Sequence, residues 1–545
     1  MSSKKGNKIK YLLVGFLLLP LLFGCNEVNE KTMKVSNEEL IYYEEKLDID
    51  LPYSDDINKT TYEYKNTDYQ IMFNSIIEVD YATSNEVENF ERTILEDKRF
   101  QNRLNTQLYN PVEFNSNSSY TYYLFYNNEN NSIIDRPLVS DTYNITQLAY
   151  IVNTKKLYIF DYQITIKRRH TMHDIIRKYI DNLMTSPPDM PLWNIESIRQ
   201  GKKPAWNYID GCMTSSLIEM YKTTKEEKYI EFVKKFVDFY VFEDGSIRGY
   251  NIEHYSTDDV CESRILFDLY ALTQNEKYNK AIEYTYNQVK NHPRTKEGNF
   301  WHKKIYPNQI WLDGLYMMQP FYTRYQTVKG NKDYSDIINQ FKNVRKLMFN
   351  EETKLYYHGY DSSRQMFWAD KETGLSKNYW LRSIGWFVVG LIDVYDYMDD
   401  ENGRQIIKEL FVETVDGILR YQDSESKMFY QLPDKKEVEG NYLETSGSSM
   451  VAYAILKGVR LNVLDKKYQS IGLDIFNGIC KKYLSVNEDG DLNLGGICLV
   501  AGLGPENNLR RDGTVKYYLS EPIVENDAKG VGPLIMAYTE VMKIN

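Results

Sequence analysis

From about His170 to the C-terminus, the chain is a near-continuous series of segments whose apolar residues recur with helical period. They fall at roughly 170–185, 206–224, 226–242, 258–274, 276–291, 310–328, 332–349, 379–396, 402–421, 444–461, 466–483 and 528–543. A weak repeat pairs them. "LIEMYKTTKEEKYIEFVKKF" and "LFDLYALTQNEKYNKAIEYT" share a helix end, a short polar turn, "EKY" and a following helix; "YTRYQTVKGNKDYSDIINQF" is a looser copy, and "DKKYQSIGLDIF" echoes its second half. A unit of roughly 50–60 residues holds two helices and loops of unequal length. One helical hairpin cannot bury its own apolar face, so stacked hairpins are required. Six hairpins closed into a ring would make an (α/α)6 barrel. The periodicity establishes the array; closure is an expectation.

The long loops fall before the first helix of each pair: "RQGKKPAWNYIDG", "EHYSTDDVCES", "NFWHKKIYPNQIWLDG", "GLSKNYWLRSIGW", "EGNYLETSGSS" and "SEPIVENDAKGVG". In an alternating array these helix starts share one end. Trp206, Tyr208, Asp258, Asp259, His302, Trp311, Asp313, Arg382, Trp386 and Glu444 should therefore meet at one mouth. Aromatics, carboxylates, a histidine and an arginine converging there suit a carbohydrate pocket. Asp313 stands out because Trp311, Leu312, Leu315, Tyr316, Met317 and Met318 crowd around it. A carboxylate in such company is paired or used. The helix start favours its anion, whereas apolar neighbours would raise its pKa.

The chain ahead of the helices is different. "MSSKKGNKIK" is basic, and "YLLVGFLLLPLLFG" is an apolar run short of a membrane span of about 20 residues. It ends in "LLFGC", which resembles a bacterial lipobox, so residues 1–25 read as a lipoprotein leader with Cys25 as the lipidation site. The body would then lie outside the cytoplasm, anchored to a bacterial membrane. Residues 26–50 are polar and acidic and read as a tether. Residues 51–165 read as a small α+β accessory domain: "YQIMFNSIIEVDYA" and "SYTYYLFYN" alternate as strands, "TSNEVENFERTILEDKRFQNRLN" reads as a helix, and "QLAYIVNTKKLYIFDYQITI" as a hairpin. The barrel would occupy 166–545.

At "WHKKIYPNQIWLDGLYMMQPF" the sequence resembles the unsaturated uronyl hydrolases, glycoside hydrolase families 88 and 105, and is more similar to family 105, the unsaturated rhamnogalacturonyl hydrolases. The likeness runs from about residue 170 to 545, through "WNYIDG", "DD", "WLDGLYM", "YYHGYD", "WLRSIGW", "ETSGSSM" and "DAKGVGPLIMAYTEV" in the family's order. It implies an (α/α)6 barrel and no cofactor. The substrates it implies are oligosaccharides with a terminal 4,5-unsaturated uronate, left by polysaccharide lyases acting upstream. The implied reaction hydrates the C4–C5 double bond. Carried over, Asp313 is the acid and then base, and Asp258 the second catalytic carboxylate, with Asp259 left open as its rival. Tyr208, His302, Trp311, His358, Arg382 and Trp386 bind substrate.

The chain departs from the family pattern at Ser383 and Ile384, after the arginine, and at Tyr360 in "HGYD". These changes bear on which sugar is bound. Two rival readings stay open on the same mouth: an inverting glycosidase on saturated sugars, using Asp258 and Asp313 with Glu444 in reserve, and a non-catalytic oligosaccharide-binding lipoprotein. A net charge of −11 without a basic stripe argues against nucleic acid. No metal-ligand or nucleotide motif occurs, and "GGICLVAGLGPE" reads as a loop in the pocket wall. Cys212, Cys261, Cys480 and Cys498 read as small core residues.

Overall fold

The computed structural model describes residues 172–544 apart from 487–491, seven strands of the N-terminal part between 27 and 166, and residues 36, 38 and 41. Cys25, its leader and the helix expected over 83–105 lie outside the described residues. Two compact units emerge, Met1–Lys178 and Tyr179–Asn545.

The first unit holds one antiparallel sheet. Its strands are β1 (Glu27–Lys34), β2 (Asn58–Lys65), β3 (Tyr69–Asp80), β4 (Thr121–Asn127), β5 (Ser132–Ile133), β6 (Thr142–Ile151) and β7 (Lys156–Ile166), in the order β1-β2-β3-β7-β6-β4-β5. The expected hairpin is β6–β7, paired from Ile151↔Lys156 to Thr142↔Thr165. The tether expectation fails over 27–34, where β1 pairs with β2 along its whole length. Its sequence, "EVNEKTMK", is polar because an edge strand is held by backbone hydrogen bonds and tolerates charge.

The second unit is helical; its first helix begins at Met172, ahead of the Lys178/Tyr179 boundary, and is counted with it. Its elements are α1 (Met172–Leu183), α2 (Ile195–Gln200), α3 (Tyr208–Thr224), α4 (Glu227–Tyr240), α5 (Thr257–Glu262), α6 (Ile265–Thr273), α7 (Glu276–Asn291), β8 (Gln309–Trp311), α8 (Leu312–Val328), α9 (Ser335–Met348), β9 (Gly359–Asp361), α10 (Leu381–Tyr397), α11 (Glu401–Leu419), α12 (Thr445–Arg460), α13 (Tyr468–Tyr483), β10 (Leu484–Val486), β11 (Leu492–Leu494), β12 (Ile497–Cys498), α14 (Val515–Ser520), β13 (Ile523–Val524) and α15 (Ala528–Ile544). Helices α3, α5–α6, α8, α10, α12 and α15 pack one on the next, and α15 returns to α3. The ring is closed, and the chain forms an (α/α)6 barrel.

Burial separates inner from outer helices. Every residue of α10 from Leu381 to Val394 is buried, as is every residue of α12 from Thr445 to Gly458. Outer α4 buries one stripe, Tyr229, Ile230, Val233, Phe236, Val237 and Tyr240, at helical spacing. Closure depends on a close approach at Gly532, where an added Cβ would lie 2.6 Å from the Cys212 carbonyl oxygen. The four described cysteines are free and buried.

Two further corrections concern local structure. The single helix expected over 258–274 is broken between α5 and α6. Arg264 donates from Nε to the Cys261 carbonyl (3.0 Å) and from Nη2 to the Tyr316 hydroxyl (2.5 Å), taking a carbonyl that a continuous helix would use. The glycine-rich segment 495–506 is not all loop: its Ile497–Cys498 pairs with Ile523–Val524 as β12–β13.

Candidate active site

The inner helices start at one end of the ring, and the long loops cross that end. Asp313 lies in the first turn of α8, directly after β8. Strand β8 pairs with β9 so that Trp311 faces Gly359, and the Leu312 N–H donates to the His358 carbonyl (2.9 Å). This pairing brings two sequence-distant motifs together: His358 Nε2 lies 3.2 Å from Asp313 Oδ2. The approach is oblique, and neither atom has an aligned hydrogen-bond partner among the described residues. His358 is fully buried. Its Nδ1 lies 2.6 Å from the Tyr518 hydroxyl, and its ring packs 4.8 Å from Trp380.

The second carboxylate is held differently. Asp258 sits in the first turn of α5, and its Oδ2 accepts from the Lys303 ammonium. His302 Nε2 is 3.7 Å from its other oxygen, and His302 Nδ1 is 3.1 Å from the Thr257 hydroxyl. Burial alone would raise the Asp258 pKa; Lys303 and then His302 outweigh it and hold the group below the ordinary value. Burial likewise opposes the Lys303 charge, and Asp258 overcomes it, so the ammonium titrates above its usual range. His302 goes the other way: burial dominates and pushes it down to about 4, so the ring is neutral at pH 7. Asp313 and Asp258 are each 8% exposed, enough to meet a ligand and too little to be well hydrated. Asp259 turns aside, accepting from the Ser256 hydroxyl (3.1 Å), and burial pushes it up to about 7. Of the adjacent pair, Asp258 is the one joined to His302.

Aromatic rings wall the mouth. Trp311 stacks on His302 with centroids 4.4 Å apart and planes 13° from parallel, and Tyr306 lies 4.6 Å from it. Trp386 stacks on Tyr316 (4.3 Å, 18°) and meets Tyr208 edge-on at 6.3 Å. Tyr208 is half-buried, one residue past the Asn207 cap of α3. Its phenol is held well above the ordinary range by burial and then by the Asp258 charge. Trp206 does not join this wall: its N–H donates to Ser263 (3.2 Å) and its ring packs on Tyr240.

Arg382 also differs from expectation. It is 2% exposed; Nε donates to the Ser446 hydroxyl (2.7 Å) and Nη2 to the Cys498 carbonyl, with Glu444 Oε1 3.6 Å away. The Nε/Nη2 edge, one of the edges by which a guanidinium grips a carboxylate, is thus engaged inside the wall. Glu444 is the fully buried N-cap of α12, accepting from the Gly447 and Cys498 N–H groups (2.8 and 3.1 Å). A buried cap with every oxygen engaged is poorly placed to serve as a reserve acid.

Two residues of this mouth escaped the sequence reading. Lys303 follows His302 in "WHKKIYP" and looks like any loop lysine. Tyr518 lies in the short helix α14, which no periodicity announces. No group of metal-ligating side chains is found among the described residues.

A closed (α/α)6 ring with two differently partnered carboxylates inside an aromatic mouth defines a carbohydrate-active class of protein. Comparison carries this further. The family model described as Glycosyl Hydrolase Family 88 matches residues 151–545. The chain is 37% identical over 226 residues to Protein Atu3128 of Agrobacterium fabrum, covering 41% of this chain and 96% of that one. It is 28% identical over 269 residues to the unsaturated rhamnogalacturonyl hydrolase YesR of Bacillus subtilis, covering 47% and 72%. A solved glycoside hydrolase of family 105 from C. acetobutylicum superposes with a TM-score of 0.63 at 38% identity, covering 68% of this chain and 99% of that one. The chain belongs to the unsaturated uronyl hydrolase family, glycoside hydrolase families 88 and 105, and is a glycosidase.

Proposed function

We propose that the protein releases a 4,5-unsaturated uronic acid from the non-reducing end of lyase-generated oligosaccharides by hydrating the C4–C5 double bond. The observation that carries this is the contrast between the two carboxylates. Asp258 is held as an anion by Lys303, whereas Asp313 Oδ2 is buried without an aligned partner, 3.2 Å from His358. A group that gives up and regains a proton benefits from such freedom. In this reading Asp313 protonates C4, water adds at C5, and the water's second proton returns to Asp313. The C5 hemiketal then opens to a ketone, and the C1 hemiacetal expels the neighbouring sugar. Tyr208 and Trp311 supply ring surface for the sugar, while Trp386, 1% exposed and stacked on Tyr316, backs the wall instead of binding sugar as the sequence suggested; Lys303 supplies positive charge for the sugar carboxylate.

Rhamnogalacturonan fragments are the favoured substrate, on the likeness to YesR. The test follows the ultraviolet absorbance of the unsaturated uronate in disaccharides made by lyases from several polymers. Loss with the parent and not with Asp313→Asn supports hydration. Cleavage of saturated sugars instead supports an ordinary glycosidase, and binding without turnover a capture protein. The basic, apolar leader ending in Cys25 supports lipid anchoring outside the cytoplasm; Cys25→Ala should move the protein from the membrane fraction to the soluble one.

A further inference from the structure

We propose that Tyr518 is a positioning residue, which fixes the His358 tautomer so that Nε2 carries the ring proton and presents it to Asp313. The inference deepens the hydration reading and rests on it for its catalytic consequence. It begins from a hydrogen-bond count. The only side-chain partner of the Tyr518 hydroxyl among the described residues is His358 Nδ1, at 2.6 Å. A buried phenol proton without that acceptor would go unsatisfied, at a cost of about 1–3 kcal/mol. Burial and the nearby Tyr517 keep the phenol well above its ordinary range, so the proton is always there to donate. Nδ1 must then accept, and in a neutral imidazole the proton falls to Nε2. Nε2 is the atom 3.2 Å from Asp313 Oδ2.

This arrangement matters to a carboxyl that works as acid and then as base. While Asp313 holds its proton, the oblique Nε2–H contact leaves that proton to be given away. Once C4 has taken it, the anion can turn onto Nε2–H and gain a donor. The opposite tautomer would offer Asp313 a lone pair, which would hold the carboxyl proton and slow its transfer to carbon. The groups facing this pair are few. His302 senses Asp313 and His358 from the loop before β8, with Asp258 and Lys303 behind it. Tyr517, Cys498 and Asp512 surround Tyr518. Trp311 and Trp380 are the uncharged walls.

The test uses the full chain with 15N-labelled histidine, six imidazoles in all, and assigns His358 by its disappearance in His358→Gln. In the parent, recorded at a pH where the ring is neutral, the His358 proton should lie on Nε2. In Tyr518→Phe the Nδ1–H form should appear. The same variant should lose kcat by about tenfold or more, with KM changed less than about threefold, and the alkaline limb of its pH–rate profile should move upward. A parent ring protonated at Nδ1 overturns the proposal outright, with or without the variant. So does a Tyr518→Phe enzyme with an altered tautomer but unchanged kcat and pH profile. If no unsaturated sugar is turned over, the parent tautomer alone still decides the structural claim, so its failure is distinguishable from failure of the hydration reading.

Discussion

Lys303→Met would remove the cation that holds Asp258 as an anion while keeping the length of the side chain. A hydrogen bond to a charged group contributes about 1.5–3 kcal/mol, and stripping one partner from a fully buried ion pair costs about 3–5 kcal/mol. Lys303 is 26% exposed and Asp258 11% at the side chain, so water can replace part of the lost donor. A destabilisation of about 2 kcal/mol at pH 7.5 follows. The pH dependence makes the reasoning specific. The folded Asp258 pKa is depressed, so its contribution is present above the unfolded carboxylate value and lost as pH falls through the folded one. In the parent that loss lies below about pH 4; in the variant, burial without Lys303 raises the carboxyl, which takes up its proton at higher pH, so the gap should be wider at pH 7.5 than at pH 4. His302, which takes its proton near 4 and lies 3.7 Å from Asp258, should close it further. The chain has seven tryptophans, from Trp193 to Trp386, so indole fluorescence during urea unfolding reports the barrel alone. An equal gap at pH 7.5 and pH 4, or none at pH 7.5, would refute the account.

Other outcomes follow from single contacts. His302→Asn should flatten the acid side of the stability curve: the unfolded histidine takes a proton near 6.5 and the buried one only near 4, so the parent loses about 1–3 kcal/mol across that window, and an unchanged slope would count against it. Arg382→Lys keeps the charge but loses the donors to Ser446 and the Cys498 carbonyl, so unfolding should come about 1–3 kcal/mol earlier; a raised KM at unchanged stability would mean that the guanidinium serves the sugar instead. Gly532→Ala should lower stability by about 1–3 kcal/mol through its clash with the Cys212 carbonyl, while KM holds steady; a neutral result would show that the ring closes less tightly there.

The twelve helices and the end of the array that carries the site were legible in the sequence, because apolar period and loop length are local properties. Asp313 was legible for a similar reason: a lone carboxylate in an apolar segment stands out from its neighbours. The break at Arg264 was not, since the Arg264 side chain there bonds both the Cys261 carbonyl and a hydroxyl on Tyr316 in another inner helix. The edge strand β1 was hidden by its polarity, for backbone pairing leaves no apolar pattern. The contrast between the two carboxylates was also beyond the sequence. Asp258 gains Lys303 from a loop 45 residues away, and Asp313 meets His358 only because β8 pairs with β9. Tyr518 reaches His358 across 160 residues from a helix too short to show a period. The sequence by itself determined which segments are helices, how they pair and which polar and aromatic residues stand at the helix starts. Tertiary structure alone decided ring closure and the partner of each charge, because both depend on distances between residues far apart in the chain, and periodicity carries no record of those.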